Sequence, residues 1–287
     1  MPLVLVLSSL VSGSRVGGGV SVAALQARGI DAMHVPTVLL GRHPGWGTPG
    51  GGAIGEDLFS GTLDGIEANG LFALTDAVLT GYFASADQVK RAAEAIDAIR
   101  AVQTRTAHNV CAYAPEPLIA VDPIIGDHGK PYVPDAVADA IREELVPRAD
   151  LLTPNAFELA WLTGLPVRDG GEALTAAKAL GKPVLASSIP AGDDIAIHYA
   201  DAHTAVSVTH PRLDKVPNGT GDLLTAAFLA ERLTGAEPKA ALETAATTIW
   251  DTLLKARAWE AFELPDVTAR LHPVREDAHL AARPLTG

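Results

Sequence analysis

The chain has 287 residues, with 22 Lys and Arg against 34 Asp and Glu, which gives a formal net charge of −12. A composition of 48% hydrophobic and 20% charged residues excludes a disordered chain and suits a packed protein with a sizeable core. The acidic balance argues against nucleic acid or an anionic membrane as a partner. The one cysteine, Cys111, excludes an intramolecular disulfide and a cysteine-based zinc cluster.

The first apolar run, residues 2–11, is not preceded by Lys or Arg, and Ser and Gly follow it. This pattern predicts a buried first strand rather than a signal peptide. No apolar stretch reaches the length of a membrane helix, about 18 residues, so we expect a soluble, cytoplasmic protein.

Short apolar runs alternate with amphipathic segments. In chain order we predict strand Leu3–Ser8, helix Gly19–Arg28, strand Ala32–Leu40, helix Ile54–Asn69, strand Ala77–Thr80, helix Ala86–Arg105, strand Leu118–Val121, helix Pro134–Leu145, strand Leu151–Thr153, helices Ala156–Thr163 and Gly171–Leu180, strands Val184–Ser187, Ile195–Tyr199 and Ala205–Thr209, and helices Asp222–Thr234 and Pro238–Ala258. This alternation predicts an α/β fold: a mostly parallel sheet covered by helices on both faces, in three layers. The last two strands are close enough in sequence to form an antiparallel hairpin. No linker divides the chain, so we expect a single domain over residues 1–287.

Polar residues follow many of the predicted strands directly. Because the carboxyl ends of parallel strands share the sheet edge where ligands bind, we expect these side chains to lie close together. The Gly/Pro-rich segment Gly41–Gly52 lies between a strand and a helix and is a candidate binding loop. The candidates at this edge are Ser9, His43, Trp46, Tyr82, Asp122, Thr153, Asn155, Ser187 and Ser188.

The most informative motif is Asn218-Gly219-Thr220-Gly221-Asp222, which precedes a helix. Its glycines allow a close backbone approach, and the helix start offers unpaired N–H groups and a positive dipole end, which together suit a phosphoryl group. Asp222 in the first turn is placed to accept a proton from an attacking hydroxyl. A simple helix-capping role for Asp222 is the alternative.

Several other enzyme classes lack their signature in this chain. No Walker A loop, dinucleotide-binding G-x-G-x-x-G, nucleophile elbow or H-E-x-x-H spacing is present.

Taken together, the motifs resemble the ribokinase-like superfamily and, within it, the pyridoxal kinases. Four segments carry the resemblance: Ser9 with the glycine cluster that follows it, Thr80-Gly81-Tyr82, Asp122 through Asp127, and Thr153-Pro154-Asn155 with Glu158 and the closing Gly219-Thr220-Gly221-Asp222. Their order and spacing match across nearly the whole chain. The His43-Pro44-Gly45 stretch is similar to the second-strand loop of bacterial pyridoxal kinases.

This resemblance implies transfer of the γ-phosphate of ATP to the 5′-hydroxyl of pyridoxal in vitamin B6 salvage, with pyridoxine and pyridoxamine as related acceptors. It implies ATP and Mg²⁺ as cofactors, leaves open a monovalent cation such as K⁺, and implies a homodimer. It also assigns roles to the candidate residues. Asp222 would be the catalytic base in contact with the substrate hydroxyl, and Gly219, Thr220 and Gly221 would form the anion hole.

The remaining roles divide between the two substrates. The resemblance places Ser9, His43, Trp46 and Tyr82 around the pyridine ring. It places Asp122, Asp127 and Glu158 near Mg²⁺ and the phosphates. On the ATP side it places Asp122, Thr153, Asn155, Glu158, Ser187, Ser188 and Gly221, together with the loop near His210–Val216.

Each of these residues also has a structural interpretation. Asp122 and Asp127 are typical turn residues, Asn155 is a typical helix cap, and Glu158 stabilises a helix dipole from the first turn. His43, Trp46 and Tyr82 are ordinary loop or core residues under the same interpretation, and Cys111 is inert.

Three positions depart from the pyridoxal kinase pattern: Leu10 stands where His or Tyr is common, Pro44 where a hydroxyl residue is common, and Trp46 where Tyr or His is usual. These changes leave a more apolar ring pocket and leave the preferred vitamer open. Two alternatives also remain: a kinase for hydroxymethylpyrimidine or a sugar, and a B6-binding protein without turnover. Hydroxymethylpyrimidine kinases typically carry Cys where Asp222 stands.

Overall fold

The computed structural model describes residues 1–109, 116–214, 216–257 and 279–285. Cys111 therefore lies outside the described residues, as does Lys215 in the loop predicted to border the nucleotide. None of the described helices is long and apolar enough to cross a membrane.

The described strands form a ten-stranded, mostly parallel sheet and a separate two-stranded hairpin. In chain order the strands are β1 Leu3–Val11, β2 Asp31–Leu40, β3 Gly51–Ala53, β4 Ala77–Thr80, β5 Leu118–Val121, β6 Gly126–Asp127, β7 Lys130–Pro131, β8 Leu151–Leu152, β9 Val184–Ala191, β10 Asp194–Ala200, β11 Ala205–Pro211 and β12 Arg283–Pro284. The order across the large sheet is β12-β11-β10-β9-β8-β5-β4-β1-β2-β3. The six strands from β9 to β2 run parallel, and the outer strands pair antiparallel.

Helices cover both faces of the sheet. They are α1 Gly18–Gln26, α2 Glu56–Ala68, α3 Ala86–Asn109, α4 Asp135–Ala140, α5 Ala156–Thr163, α6 Gly170–Ala179, α7 Thr220–Leu233 and α8 Pro238–Arg257. Successive residues of β1 point to opposite faces, as the strand period of two requires: Leu5 and Leu7 pack with α2 to α6, whereas Val4 and Val6 pack with α1, α7 and α8. The predicted α/β fold with three layers is confirmed.

The ends of several elements differ from the prediction by up to four residues, as where β1 reaches Val11 and α3 reaches Asn109, and there are four further differences. The short strands β3, β6, β7 and β12 were not predicted, because two or three residues are too few to produce an apolar alternation. The strand β9 continues past Ser187 to Ala191 and pairs antiparallel with β10. The helix predicted over 134–145 ends its regular part at Ala140 and continues as a π turn, Ile141–Leu145, just before Pro147, which has no N–H to continue the ladder. The helix predicted from Asp222 begins at Thr220, so Thr220 and Gly221 belong to its first turn.

One buried histidine makes the stability of the fold depend on pH. His198 on β10 is 4% exposed, and its Nδ1 has no partner among the described residues. Burial lowers the pKa of His198 to about 4, against about 6.5 for an unperturbed histidine. Because the pKa of His198 is lower in the folded chain than in the unfolded chain, the neutral side chain contributes its full stability above pH 6.5. That contribution is lost as the pH falls towards 4.

The unfolding free energy of the parent chain should therefore fall when the pH is lowered from 7.5 to 5. We expect this fall to be about 2 kcal/mol smaller in the His198→Gln variant. Urea unfolding at both pH values measures the difference. The variant His203→Gln, in the exposed turn between β10 and β11, is the control and should keep the parent's pH dependence. An unchanged slope in His198→Gln would show that another group governs the acid sensitivity.

Candidate active site

The carboxyl edge of the parallel strands carries most of the predicted site residues. Ser9 lies near the end of β1, and Tyr82 follows β4. Asp122 follows β5 and Thr153 follows β8, so the two lie side by side in neighbouring strands, one step beyond the paired Val121 and Leu152. The shared edge predicted from sequence is therefore present.

The start of α7 forms the anion-binding part of this edge. Gly219 is the N-cap residue, with φ of +88°, and no side chain caps the helix. The N–H groups of Thr220 and Gly221 therefore remain available to a ligand, and the helix dipole favours an anion there. A Cβ on Gly219 would lie 3.0 Å from the carbonyl oxygen of Arg15 and 3.2 Å from Val16, so only glycine lets this turn sit against the loop after β1.

Asp222 connects the start of α7 to the loop after β1. Its Oδ2 accepts a hydrogen bond of 2.9 Å from the backbone N–H of Gly17. The carboxyl is half-buried, and burial raises its pKa, whereas the bonds from Gly17 N–H and from its own N–H act in the opposite direction. Asp222 is not the N-cap residue of α7, which is Gly219, and its bond to Gly17 extends beyond a local capping role. A carboxylate with a raised pKa is a stronger base, as proton abstraction requires.

Gly17 also packs directly against Ser9. Its φ is +58°, and a Cβ at this position would overlap with the Ser9 hydroxyl oxygen. Gly17 therefore contacts both residues, and its distance from Ser9 is one that only glycine allows. Ser9 itself is 8% exposed. The Ser9 hydroxyl and the Asp222 carboxylate both lie next to Gly17.

Asp122 lies at the centre of a group of carboxyls and hydroxyls. Burial raises the pKa of Asp122 well above its ordinary value, and the charges of Glu158 and Asp222 raise it further. The nearby hydroxyls of Thr153 and Thr225 act in the opposite direction. The Thr225 hydroxyl also donates to Thr153 Oγ1 at 2.9 Å.

Glu158 and Asn155 form a capping box at the start of α5. The Asn155 side chain accepts from the Glu158 N–H at 3.0 Å, and Glu158 Oε2 accepts from the Asn155 N–H at 2.9 Å. Glu158 Oε1 accepts from Ile125 N–H at 2.9 Å and from Gly126 N–H at 3.3 Å. Burial raises the pKa of Glu158 to about 8 against these three donors, and Asp127 raises it as well. The capping interpretation of Asn155 is confirmed, and Glu158 fixes the loop after β5.

The loop after β2 folds over the anion-binding turn. His43 and Trp46 are half-buried, and their rings lie 5.8 Å apart. His43 Nδ1 lies 3.4 Å from the side-chain nitrogen of Asn218, the residue before Gly219, and accepts from Gly45 N–H. Burial lowers the pKa of His43. The predicted ring-pocket loop and the predicted phosphate loop are therefore in contact.

The other predicted residues lie around the same edge. Tyr82 is half-buried, and its backbone N–H donates to Ser8 Oγ at 3.3 Å. Ser187 N–H donates to Pro154 carbonyl oxygen at 3.0 Å, which joins β9 to the end of β8. Ser188, with φ of +58°, forms the irregularity of β9 beside it. Asp127, in the β6–β7 hairpin, is half-buried and accepts from His128 N–H at 2.7 Å.

A family model described as phosphomethylpyrimidine kinase matches residues 75–265. A pyridoxine/pyridoxal/pyridoxamine kinase of Bordetella avium is 36% identical, over 98% of this chain and 92% of its own length. A pyridoxal kinase of Granulibacter bethesdensis is 32% identical, over 93% of this chain and 94% of its own. The chain belongs to the pyridoxal kinase family of the ribokinase-like superfamily.

Solved pyridoxal kinases share the fold. The pyridoxal kinase of Entamoeba histolytica superposes with a TM-score of 0.87 at 27% identity, over 99% of this chain and 100% of its own. The pyridoxal kinase of Leishmania donovani in complex with ADP and ginkgotoxin gives 0.87 at 26% identity, over 100% of both chains. The ribokinase-like fold expected from sequence is thus confirmed.

Two residues of this pyridoxal kinase family site were missed by sequence reasoning. The sequence marks Gly17 only as one of three consecutive glycines, because its hydrogen bond to Asp222 joins residues 205 positions apart. Thr225 was not singled out, although it stands three positions after Asp222. The helical repeat places residues i and i+3 on one face, so that spacing was a usable signal.

Proposed function

We propose that this member of the pyridoxal kinase family transfers the γ-phosphate of ATP to the 5′-hydroxyl of pyridoxal, with Asp222 as the base. The observation that carries the proposal is the position of Asp222. It lies in the first turn of an uncapped helix and is bonded through Gly17 to the loop that packs on Ser9.

The proposed chemistry divides among the residues at the carboxyl edge. Asp222 takes the proton of the attacking hydroxyl as its oxygen bonds to the γ-phosphorus and the bond from that phosphorus to the β–γ bridging oxygen breaks, which releases ADP. The N–H groups of the first turn of α7, at Thr220 and Gly221, stabilise the charge on the transferred group. Ser9 hydrogen-bonds the pyridine ring of the acceptor, and Trp46 and Tyr82 supply apolar surface. His43 completes the ring pocket from the loop after β2.

The nucleotide side is assigned to the ends of β5, β8 and β9. Asp122 and Thr153 face the phosphates, while Asn155 and Glu158 hold the loop after β5 in place from α5. Ser187 and Ser188 border the nucleotide where β9 becomes irregular. Asp127, in the hairpin after that loop, belongs to the same side.

We propose Mg²⁺ as the metal cofactor. Within the described ranges, no group of three His, Cys, Asp or Glu side chains is placed to hold a metal by itself. Nor does any described Lys, Arg or His form an ion pair with Asp122, Glu158 or Asp222. Buried carboxyls with raised pKa values fit a hard cation whose other ligands are phosphate and water oxygens. When bound, Mg²⁺ would neutralise phosphate charge, and Asp122, Asp127 and Glu158 are the residues that would hold it, in part through water. A monovalent cation such as K⁺ is an addition to test.

The remaining assignments follow from the resemblance. We propose a single kinase domain over residues 1–287, a cytoplasmic location and a homodimer. Size-exclusion chromatography with light scattering tests the dimer.

The function is tested by measuring ADP release with pyridoxal, pyridoxine, pyridoxamine, hydroxymethylpyrimidine and ribose as separate acceptors. We expect release with pyridoxal. The matching family model makes hydroxymethylpyrimidine the most informative competitor. Release with hydroxymethylpyrimidine or ribose alone would overturn the acceptor assignment, and no release with any of the five would favour a B6-binding protein without turnover.

A further inference from the structure

The hydroxyl of Thr225 is a buried polar group that the proposed reaction does not use. Thr225 is 2% exposed and lies in α7, three residues after Asp222. Its Oγ1 donates to Thr153 Oγ1 at 2.9 Å, across 72 positions of sequence. Both hydroxyls lie beside the Asp122 carboxyl, which follows the neighbouring strand β5.

The Thr225 hydroxyl donates its proton differently from several other threonines in the described helices. A helical threonine commonly donates to the carbonyl oxygen four residues earlier in its own helix. Several described threonines do so, namely Thr62, Thr163, Thr175, Thr248 and Thr252. The Thr225 hydroxyl instead donates across the site to Thr153, at the end of β8 and next to the end of β5. A purely local helical role does not explain this hydrogen bond.

One face of α7 therefore reaches both halves of the site. Asp222 bonds to Gly17 on the acceptor side, and Thr225, less than one turn later, bonds to Thr153, beside Asp122, on the nucleotide side. A hydroxyl carries one proton, so when Thr225 donates to Thr153, the Thr153 proton is free to bond to Asp122. The two hydroxyls thus form a short chain that ends on the Asp122 carboxyl.

We propose that Thr225 is a positioning residue, which, with Thr153, fixes the orientation of the Asp122 carboxylate towards the nucleotide phosphates. The inference rests on the proposed function, because that function assigns Asp122 to the nucleotide side. It adds that α7, which carries the base Asp222, also orients the Asp122 carboxylate, which faces the nucleotide.

The test uses the full chain, with ADP as the probe in buffer containing Mg²⁺. Thr225→Val keeps the branched shape and removes the hydroxyl. We expect it to weaken ADP binding, measured by calorimetry, and to lower kcat/KM for ATP, each by about tenfold, as for loss of one buried hydrogen bond. KM for pyridoxal should stay within about twofold of the parent value. Thr225→Ser restores the hydroxyl and should recover most of the ADP affinity.

A double-mutant comparison tests whether the two hydroxyls act as one chain. Thr153→Val combined with Thr225→Val should be no more than about twofold worse than Thr153→Val alone, because coupled residues are not additive. The matched control is Thr252→Val, a buried threonine of α8 that donates within its own helix. It should bind ADP as the parent does.

Three results would overturn the inference: unchanged ADP affinity in Thr225→Val, equal impairment in Thr225→Ser, or additive losses in the double variant. Equal impairment in the serine variant would assign the effect to packing of the methyl group. If Thr225→Val does not fold, Thr225→Ala is compared with Thr225→Ser in the same way. A parent chain that binds ADP but releases none with pyridoxal would reject the proposed function, while the ADP affinities would still decide the role of Thr225.

Discussion

Replacing Asp222 with Asn is expected to lower turnover of pyridoxal by about 10²- to 10⁴-fold, the usual contribution of a general base. The amide oxygen of Asn can still accept the Gly17 N–H that Asp222 Oδ2 accepts in the structure. The loop after β1 should therefore stay in place, and binding of pyridoxal and ADP should change little. Initial-rate kinetics combined with calorimetry of both ligands separate the two effects.

The same substitution elsewhere provides the control. Asp135 lies in the first turn of α4, exposed and outside the proposed site, so Asp135→Asn removes a comparable helix-dipole interaction without touching the reaction. The Asp135→Asn variant should turn over pyridoxal as the parent does.

Because burial raises the pKa of Asp222, the parent should lose activity on acidification at a higher pH than it would with an Asp of ordinary pKa. Undiminished turnover in Asp222→Asn would reject the assigned mechanism.

Replacing Gly17 with Ala is expected to damage both the fold and the reaction. The added Cβ would overlap with the Ser9 hydroxyl and lie 2.9 Å from the Ser9 carbonyl oxygen, and φ of +58° is strained for alanine. Strain at such a φ alone costs about 1–3 kcal/mol. Rotation of the Ser9 side chain can relieve the overlap with its hydroxyl, but the contact with the Ser9 carbonyl oxygen requires the backbone to shift. We expect that shift to weaken the Gly17–Asp222 bond. We expect turnover to fall by at least about tenfold, with a lower unfolding free energy in urea.

A matched substitution at Gly29 separates the effect of backbone strain at positive φ from the effect of the overlap with Ser9. It lies beyond the other end of α1, with φ of +72°, and a Cβ there would meet nothing within 4 Å. Gly29→Ala should therefore lose stability by a similar amount from φ while turnover stays at the parent level. Equal losses of turnover in both variants would mean that Gly17 acts through stability alone and that its contact with Ser9 has no role in the reaction.

The sequence was sufficient for most of the parallel core. Ala77–Thr80, Leu118–Val121 and Ala156–Thr163 agree with the structure residue for residue, because each combines a clear apolar pattern with well-marked ends. The antiparallel hairpin of β10 and β11 was also predicted. The missed strands are two or three residues long and largely exposed, so they depend on pairing with neighbours rather than on their own pattern.

The site was predicted as a set of residues but not as a set of contacts. Placement at one sheet edge follows from the rule for parallel strands, which located Asp122 and Thr153 correctly. The bonds between them come from long-range packing. Nothing in the local sequence indicates that Glu158 would hold Ile125 and Gly126, or that Asp222 would bond to Gly17 rather than cap its own helix. Such pairings are set by how α5 and α7 dock on the sheet.

The bond between Gly17 and Asp222 also has a consequence for synthesis of the chain. The loop after β1 leaves the ribosome early, but its carboxylate partner follows 205 residues later. At about 5–20 residues per second, the interval is roughly 10 to 40 s. During that time β1 can pair with β2 and then β4, but the two sides of the acceptor site cannot meet. A nascent chain that stops before α7 would therefore contain most of the parallel core and no reactive centre.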